Sequence, residues 1–174
     1  MEIRPLRQSD DRSTFDSGDE LIDRFLRKYA GQNQFRHYLG VTYVAVDEGQ
    51  LLGFATVAPG QLDIDALPAA IRKKIPRYPL PVLRLARLAV DVSVQSQGLG
   101  AQLLRFVLHV ATNMANDYGC IGVVVDAKPG AVNFYAKYGF VAHDALEGRS
   151  EARPQTTMMF LSMSAILATS NPPG

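Results

Sequence analysis

The segment "LARLAVDVSVQSQGLGAQLL", Leu85–Leu104, decides the fold that we expect for this chain. It begins with an apolar run typical of a buried strand and ends with apolar residues at helical spacing. Between them lies a polar turn with two glycines, Gly98 and Gly100. A helix N-terminus presents unpaired N–H groups and a partial positive charge, and glycine lets a ligand approach the backbone. The junction is therefore a candidate site for a phosphate.

Alternatives for this junction stay open at the level of the residues. A dinucleotide fingerprint would need glycine in place of Leu103, and a P-loop would need Gly-Lys-Ser/Thr after its glycines. Neither pattern is present. The glycines could instead serve only to let the helix pack closely on the sheet. Side chains in the turn can add uncharged hydrogen-bond donors, namely Gln95, Ser96 and Gln97.

The N-terminal half of the chain predicts a strand, a helix and a hairpin. A short strand is expected at "EIRPL". Ser17 and Glu20 have the spacing of a capping box, so a helix should begin near Gly18. The β-branched and aromatic runs Val41–Val46 and Leu51–Ala58 flank the turn "DEGQ", which is typical of a β-hairpin.

The C-terminal half predicts strands that alternate with helices. A short helix near Leu67–Ile75 precedes prolines 76, 79 and 81, which argue against a regular element there. The strand "VLRLARLAV", a long helix ending at Gly119, the strand "IGVVVDA" and a helix from Pro129 to Gly139 follow. The last strands are "FVAH" and "TTMMFLSMS", with the C-terminal run expected at a sheet edge. This order predicts one domain, residues 1–168, with a mixed sheet covered by helices and a flexible tail, residues 169–174.

Composition excludes several classes of protein. The net charge of the 174 residues is +1, so any nucleic-acid-binding surface must be local. Cys120 is the only cysteine, which excludes an intrachain disulfide and a cysteine-based metal site, and its apolar neighbours predict a buried bystander. The opening residues lack the apolar core of a secretion signal, and no apolar run is long enough to span a bilayer. We expect a cytoplasmic protein that does not bind a membrane or a metal.

A second motif, "AVNFYAKYGF" at Ala131–Phe140, gives the junction a context. Together the two motifs resemble the GNAT acyltransferases, which use acetyl-CoA. The family's pyrophosphate loop R/Q-x-x-G-x-G/A and its helical motif F/L-Y-x-x-x-G-F are matched by Gln95, Gly98, Gly100, Phe134, Tyr135, Gly139 and Phe140. The resemblance implies a mixed, mostly antiparallel central sheet with a splayed parallel strand pair and helices on both faces.

The resemblance also implies a cofactor site and a catalytic residue. The loop amides should hold the pyrophosphate of coenzyme A, and the strand before the loop should pair with the pantetheine. Tyr135 should be the general acid that protonates the departing thiolate. A phenol is protonated at neutral pH and could donate without tuning. The implied cofactor-binding residues are Leu88, Ala89, Val90, Gln95, Ser96, Gln97, Gly98, Leu99, Gly100, Ala101, Asn133 and Tyr135.

Two departures from the family pattern stand out. Many members have an asparagine seven residues before the tyrosine, where this chain has Lys128, and Asn133 lies nearby at a different helical position. No general base is evident, because His37, His109 and His143 are scattered and are best read as solvated. Phe134, beside Tyr135, is the more plausible aromatic core residue of this helix.

A narrower resemblance concerns the acceptor. The stretch "FDSGDELIDRFLRKYA" is similar to the opening of a toxin branch of this family, at Phe15, Gly18, Ile22, Asp23, Phe25 and Leu26. Those toxins acetylate the α-amine of aminoacyl-tRNA, are neutralised by a ribbon-helix-helix antitoxin and are commonly homodimers. A segment without Asp or Glu could contact tRNA phosphates through Arg72, Lys73, Lys74, Arg77, Arg84 and Arg87. Arg84 and Arg87 have opposite strand parity and should face opposite sides of the sheet.

Two other functions remain open from the sequence. The acceptor could be a small-molecule or peptide amine, because the fold does not select the amine. The chain could also be an acyl-CoA-binding module without catalysis. The intact Tyr135 argues against that second alternative.

Overall fold

The computed structural model describes residues 1–63, 65, 67, 69–74, 79–142 and 156–170. The strands are β1 Glu2–Pro5, β2 Val41–Asp47, β3 Gln50–Leu62, β4 Leu80–Val90, β5 Gly122–Ala127, β6 Val141–Ala142 and β7 Thr157–Ser162. The helices are α1 Glu20–Arg24, α2 Ala69–Arg72, α3 Leu99–Asp117, α4 Val132–Lys137 and α5 Met163–Ser170. None of the helices in this described part combines the length and apolar character that crossing a bilayer requires.

The strands form a mixed seven-stranded sheet in the order β1-β2-β3-β4-β5-β7-β6. The pairs β1–β2, β2–β3, β5–β7 and β6–β7 are antiparallel. Helix α3 joins β4 to its neighbour β5, and a helical crossover of this kind connects parallel strands. The predicted fold class, a mostly antiparallel sheet with one parallel pair and helices, is confirmed.

The predicted hairpin forms between β2 and β3. Glu48 and Gly49 occupy its tip with φ of 49° and 79°, the left-handed geometry that a two-residue hairpin turn requires. Asp47 pairs with Gln50, and the register shifts between Ala45 and Val46. Strand β3 continues to Leu62, beyond the predicted end at Ala58.

Contacts divide the chain into two units, and the first comprises Met1–Ala58 and Leu85–His109. Alternate residues of its strands build two apolar layers, as the period of two requires. Val44 and Phe54 lie in the cluster that includes Leu26 of the N-terminal helical segment. Ala45 lies in the other cluster, with Leu103 of α3. Helical segments therefore cover both faces of the strands of this unit.

The second unit comprises Pro59–Arg84 and Val110–Gly174. Its core joins strands β4, β5 and β7 through Val82, Val124 and Phe160, each at most 2% exposed. Cys120 of this unit is buried, as its apolar neighbours predicted. Burial raises the pKa of the Cys120 thiol, which keeps it protonated and unreactive.

The N-terminal helix begins two residues later than predicted. Asp19, not Ser17, is the N-cap, and its carboxylate accepts from the amides of Leu21 and Ile22. The Ser17 hydroxyl instead donates to Asp23 at 2.6 Å. Gly18 stays outside the helix because its φ is +88°. The capping-box prediction was wrong because the Ser17 hydroxyl accepts from Asp19 N–H and donates to Asp23, so that Asp19 caps the helix.

Two further differences concern strand ends. Pro81 lies inside β4, although the prolines argued against a regular element there. It lacks an amide hydrogen, but its carbonyl still accepts from Ile121 N–H at 2.8 Å. The C-terminal strand ends at Ser162 and continues as helix α5, and β7 lies between β5 and β6, so the predicted edge position was wrong. Helix α5 includes residues 169–170 of the predicted tail, whose last four residues lie outside the described part.

Candidate active site

The turn between β4 and α3 presents an open backbone. It contains the 3-10 segment Val92–Val94, after which the chain bends through Ser96 and Gly98 with φ of 63° and 88°. A Cβ at Gly98 would have no atom within 4 Å, so glycine is needed there for its backbone angle and leaves the surface free. Left-handed geometry at Ser96 costs about 1 kcal/mol, and such strain is typical of ligand clamps.

Helix α3 begins at this turn, so the N–H groups of its first residues lie at the turn. The first helical bond runs from Gln102 N–H to the carbonyl of Gly98 at 3.1 Å. The amides of Leu99, Gly100 and Ala101 precede that bond and have no partner within the helix. The first turn of α3 contains no acidic residue to repel an anion. The Leu99 side chain is buried, so only its backbone is available to a ligand.

Gly53 of strand β3 allows α3 to lie close to the sheet. A Cβ at this position would stand 3.0 Å from Leu103 Cδ1, 3.1 Å from Ala89 O and 3.3 Å from Leu99 Cδ2. Two of these three neighbours belong to the first turns of α3. The missing side chain of Gly53 therefore sets the position of the helix N-terminus. The helix packs closely on the sheet here, but the glycine that allows it is Gly53 of the strand and not Gly98 of the turn.

The side chain of Gln95 is bound by the protein itself. Its Nε2 donates to the carbonyl oxygens of Ser17 and Val90, each at 2.9 Å. The amide hydrogens predicted as additional ligand donors therefore hold the turn in place. Ser96 and Gln97 are exposed, and Gly100 and Ala101 are half-buried.

Asp91 is a site residue that the sequence analysis missed. It is 6% exposed, and its carboxylate accepts from Asp16 N–H at 3.0 Å and from both the amide and the hydroxyl of Ser93. Burial alone would raise the pKa of Asp91, but these three hydrogen bonds together hold it below its ordinary value. The only signal was an acidic residue directly after an apolar strand.

Asp16 and Ser17 thus connect the N-terminal motif to this turn. Val92 N–H donates to the Asp16 carbonyl at 2.8 Å, and Gln95 donates to that of Ser17. Phe15, the first residue of the motif, is 3% exposed and packs edge-on against Phe54 at 5.5 Å. The stretch that resembles the toxin branch therefore supports the turn.

The residues predicted to contact the pantetheine, Leu88, Ala89 and Val90, lie at the end of strand β4. Ala89 packs in the cluster with Phe54, and Leu88 and Val90 pack against the cluster of Leu99. Their side chains pack in the apolar clusters on the two faces of the sheet. Any contribution to a ligand must therefore come from the backbone, as the resemblance implies.

Tyr135, the predicted catalytic residue, belongs to helix α4 of the second unit. It is 5% exposed, whereas Phe134 is half-buried, so the expected order of burial is reversed. Its ring packs edge-on against Phe134 at 5.1 Å and against Phe140 at 5.4 Å. Burial raises the pKa of Tyr135 to about 12, so the phenol keeps its proton at physiological pH.

Other predicted contacts in the second unit are solvent-facing. Lys128 and Asn133 are exposed on either side of the 3-10 segment Pro129–Ala131, which opens α4 as predicted from Pro129. In the first unit, His37 and His109 are both exposed, and His143 lies outside the described residues. Whether Asn133 contacts a cofactor stays a prediction.

The basic residues of the predicted tRNA segment have different environments. Arg72, Lys73 and Lys74 are exposed at the end of α2, and Arg77 lies outside the described residues. Arg84 forms an ion pair with Asp126 at 3.0 Å. Their contact with RNA stays a prediction.

Arg87 lies against the core of the first unit. Its guanidinium carbon is 3.6 Å from the centroid of the Phe25 ring, and burial lowers the pKa of the guanidinium. Strand parity places this side chain with Ala89 and not with Arg84, as expected. Arg87 is therefore already engaged by an aromatic ring.

Comparison with known proteins identifies the family. The Acetyltransferase (GNAT) domain matches residues 14–160. A tRNA-acetylating toxin from Mycobacterium tuberculosis is 34% identical over 140 residues, which cover 79% of this chain and 82% of the toxin.

Solved structures agree with that match. AtaT complexed with acetyl-methionyl-tRNAfMet has a TM-score of 0.83 at 28% identity, covering 98% of this chain and 99% of AtaT. A mutant AtaT toxin bound to the C-terminus of the antitoxin AtaR and to acetyl-CoA has a TM-score of 0.76 at 25% identity, covering 98% of both chains. The prediction of an N-acetyltransferase is confirmed. The chain belongs to the GNAT acetyltransferase family.

Proposed function

We propose that this protein transfers the acetyl group of acetyl-CoA to the α-amine of an aminoacyl-tRNA and is the toxin of a toxin–antitoxin pair. The observation that carries the proposal is the 34% identity to a tRNA-acetylating toxin over most of both chains. The likeness to AtaT in complex with acetyl-methionyl-tRNAfMet supports the same acceptor.

The turn between β4 and α3 has the chemistry to hold the pyrophosphate of coenzyme A. The amides of Leu99, Gly100 and Ala101 are free of intrahelical partners and lie at the positive end of a 19-residue helix. Gly98 leaves the approach open. Acetyl-CoA supplies an acetyl group activated as a thioester. The residues present in this turn fit an anionic group and would hold it through the backbone.

Tyr135 is the proposed proton donor. In the overall transfer, the acceptor nitrogen bonds to the acetyl carbon while the carbon–sulfur bond breaks, the nitrogen loses a proton and the sulfur gains one. A phenol with a pKa of about 12 carries its proton throughout the physiological range. It is a weak acid, so its donation must coincide with the loss of the carbon–sulfur bond.

We extend the proposal to partners. By analogy with the AtaT–AtaR complex, an antitoxin binds and neutralises this protein, and we expect it to be a small ribbon-helix-helix protein. We also expect a homodimer in the cytoplasm. Coexpression with the product of the neighbouring reading frame, followed by size-exclusion chromatography with light scattering, tests both the complex and the oligomeric state.

The acceptor is tested with labelled acetyl-CoA. The purified protein is incubated with total charged tRNA, with the same tRNA after deacylation, and with a panel of polyamines and peptides. The proposal expects label in acid-precipitable RNA only when the tRNA is charged, and its release by mild alkali as an N-acetylated amino acid. Label on a polyamine or peptide with none on tRNA would establish the small-amine alternative.

The catalytic role is tested with Tyr135→Phe. The variant should bind acetyl-CoA as the wild type does and lose turnover by roughly 10²- to 10⁴-fold, the usual contribution of a positioned acid. Tyr138→Phe is the matched control, since this half-buried tyrosine packs against the same Phe134 ring at 5.3 Å. Near-normal turnover of Tyr135→Phe would remove the phenol from the mechanism. Binding of acetyl-CoA by a wild type that modifies no amine would indicate the non-catalytic alternative.

A further inference from the structure

Two buried carboxylates bind the same short stretch of the first unit. Among the acidic residues in the part of the chain that the structure describes, only Asp23 and Asp91 are buried, at 3% and 6% exposure. Both accept from the dipeptide Asp16–Ser17, which precedes helix α1 and belongs to no strand or helix. Neither carboxylate forms an ion pair with a described residue. Because aspartate is rarely buried without a partner, the dipeptide accounts for the position of both.

The four polar groups of the dipeptide backbone are all bound. Three of them bond to the turn that follows β4, at distances of 2.8 to 3.0 Å, and their partners there are Asp91, Val92 and Gln95. The fourth, Ser17 N–H, donates to the carboxylate of Asp23 at 3.0 Å. Through its backbone, the dipeptide therefore connects the turn to one residue of helix α1.

Asp23 binds both the backbone and the side chain of Ser17. Its Oδ1 also accepts from the Ser17 hydroxyl at 2.6 Å, and its Oδ2 accepts from the same amide at 3.2 Å. The Ser17 hydroxyl in turn accepts from Asp19 N–H at 3.2 Å. These bonds fix the direction of the Ser17 carbonyl, which accepts from Gln95.

Helix α1 gives Asp23 a fixed position. Phe25 and Leu26, which follow it closely in the chain, are 5% and 0% exposed and pack in the cluster that includes Ala89 at the end of β4. Close-packed cores transmit displacements because they leave no room for local adjustment. A carboxylate held by such a core can therefore set the position of a loop that has no strand neighbour of its own.

The link from Asp23 reaches the start of α3 through Gln95. The Gln95 side chain donates to the carbonyls of Ser17 and Val90, so a displaced Ser17 would break one of the two bonds that hold the turn. The turn leads directly into α3. Its displacement would therefore misplace the unpaired N–H groups at the helix N-terminus.

We propose that Asp23 is a positioning residue for the acyl donor: it holds Ser17, which holds Gln95 and, through it, the turn that binds coenzyme A. The inference rests on the proposed function, in which this turn is the pyrophosphate site. Asp23 acts at the pyrophosphate and not at the thioester, so its loss changes the affinity for acetyl-CoA and leaves the chemical step intact. By linkage, bound acetyl-CoA stabilises the dipeptide and its bonds to Asp23.

Asp23→Ala removes the acceptor for Ser17. The full-length variant should bind acetyl-CoA about 5- to 30-fold more weakly in isothermal titration calorimetry, with kcat changed less than about twofold at saturating donor. Thr42→Val is the matched control. It also breaks a buried hydrogen bond of the first unit, between the hydroxyls of Thr42 and Thr56 at 2.8 Å, and should lose stability in urea without a change in the Kd for acetyl-CoA.

A double-variant cycle tests the route. Because Asp23 acts through Ser17 on Gln95, Asp23→Ala/Gln95→Ala should lose about as much affinity for acetyl-CoA as the weaker-binding single variant. Losses of affinity that multiply would show two independent effects and overturn the inference.

Asp23→Asn separates hydrogen bonding from charge. Its carbonyl oxygen can replace Oδ1, which accepts from both the amide and the hydroxyl of Ser17, so this variant should recover most of the affinity lost in Asp23→Ala. Acetyl-CoA is an anion. A variant that binds it more tightly than the wild type does would show that Asp23 acts through its charge, and the inference would fail.

Hydrogen exchange tests the link in the wild type. The amides of Asp16 and Ser17 should exchange more slowly when acetyl-CoA is bound, by up to about 100-fold at a donor concentration of about 100 times Kd. Exchange rates that are the same with and without acetyl-CoA would show that the dipeptide is not coupled to the donor site.

Gly98→Asp distinguishes a failure of this inference from a failure of the proposed donor site. It places a carboxylate at the open position of the turn and should abolish acetyl-CoA binding by repelling the pyrophosphate. If Gly98→Asp does not bind acetyl-CoA and Asp23→Ala binds it as the wild type does, the inference fails while the proposed function stands. If Gly98→Asp binds acetyl-CoA normally, the turn is not the pyrophosphate site, and the proposed donor site fails together with the inference.

Discussion

Gln95 and Val90 are joined by a hydrogen bond of 2.9 Å from the side-chain amide to the backbone carbonyl, across the turn that leads from β4 into α3. The same nitrogen also reaches the carbonyl of Ser17. Gln95 therefore ties the end of the strand and the N-terminal motif to one turn. It is a positioning residue for the amides of α3, and its own donors are not available to a phosphate.

Gln95→Ala should weaken acetyl-CoA binding by roughly 5- to 30-fold, since two neutral hydrogen bonds are worth about 1 to 2 kcal/mol of turn stability. Isothermal titration calorimetry measures the Kd, and kcat should change little. Gln95→Arg keeps N–H donors at this position and should restore most of the affinity. An alanine variant with wild-type affinity would show that the turn holds its shape without these bonds.

Asp91→Asn should destabilise the protein by about 1 to 3 kcal/mol, because one amide oxygen cannot replace two carboxylate oxygens that accept three bonds. The pKa of Asp91 is lowered on folding. Its contribution is therefore present above the unfolded value near pH 4 and is lost as pH falls through the folded value. Urea denaturation should show a larger difference between wild type and variant at pH 7 than at pH 3, where the unfolded carboxyl is already mostly protonated.

Asp11→Asn provides the control for that comparison. The Asp11 carboxylate accepts from the amide and the hydroxyl of Ser13, as the Asp91 carboxylate does from Ser93, but Asp11 lies in an exposed turn. Water can replace those bonds, so this variant should lose less stability. Equal losses in the two variants would show that burial of Asp91 adds nothing.

Gly53→Ala should cost about 1 to 3 kcal/mol by overpacking between β3 and α3. The new methyl group would meet the Ala89 carbonyl at 3.1 Å, and this backbone atom cannot turn aside as the Leu103 side chain can. Thermal denaturation measures the loss, and acetyl-CoA affinity should also fall because the first turn of α3 is displaced. Gly130→Ala adds a methyl group with no atom within 4 Å and should be neutral for stability.

Tyr135→Phe should remove part of the alkaline loss of stability. Folding raises the pKa of this phenol from 10.0 to about 12. The folded state therefore holds a proton that the unfolded state releases between these values, and the wild type loses up to about 3 kcal/mol as pH rises from 10 to 12. Denaturation across this range should show the difference between wild type and variant.

Tyr118→Phe is the control, because Tyr118 is 73% exposed. This variant should lose as much stability at alkaline pH as the wild type does. The same preparations allow a difference titration of phenolate absorbance. The phenolate absorbance of Tyr135, taken as the difference between the wild type and Tyr135→Phe, should rise only above about pH 11. Ionisation of Tyr135 near pH 10 would contradict its burial.

Local patterns predicted most of the elements correctly. The hairpin between β2 and β3, the long helix α3 and its end at Gly119 follow from residues within a few positions of one another. Gly119 has a φ of +102° and bonds to the Met114 carbonyl at 2.9 Å, as a helix C-cap requires. Such short patterns predict the structure correctly because the interactions that stabilise a turn or a helix cap involve only the adjacent backbone.

Predictions failed where two local rules competed. Ser17 and Asp19 both carry a side-chain oxygen that can cap a helix, but Asp19 accepts from the first helical amides while the Ser17 hydroxyl contacts Asp19 N–H and Asp23. The run after Ser162 has strand-like composition but becomes helix α5. Apolar composition alone does not separate a buried strand from a buried helix.

The sequence by itself determined the strand, turn and helix at Leu85–Leu104, the two motifs and the family that they resemble, because glycine and a helix N-terminus act through the adjacent backbone. Only the tertiary structure decided that Gln95 binds Ser17, that Asp91 holds Asp16 and that Arg87 lies on Phe25. The partners in these three pairs lie 78, 75 and 62 positions apart in the sequence. Their formation depends on long-range packing that brings the groups together at the cost of chain entropy, and no local pattern encodes which partner wins.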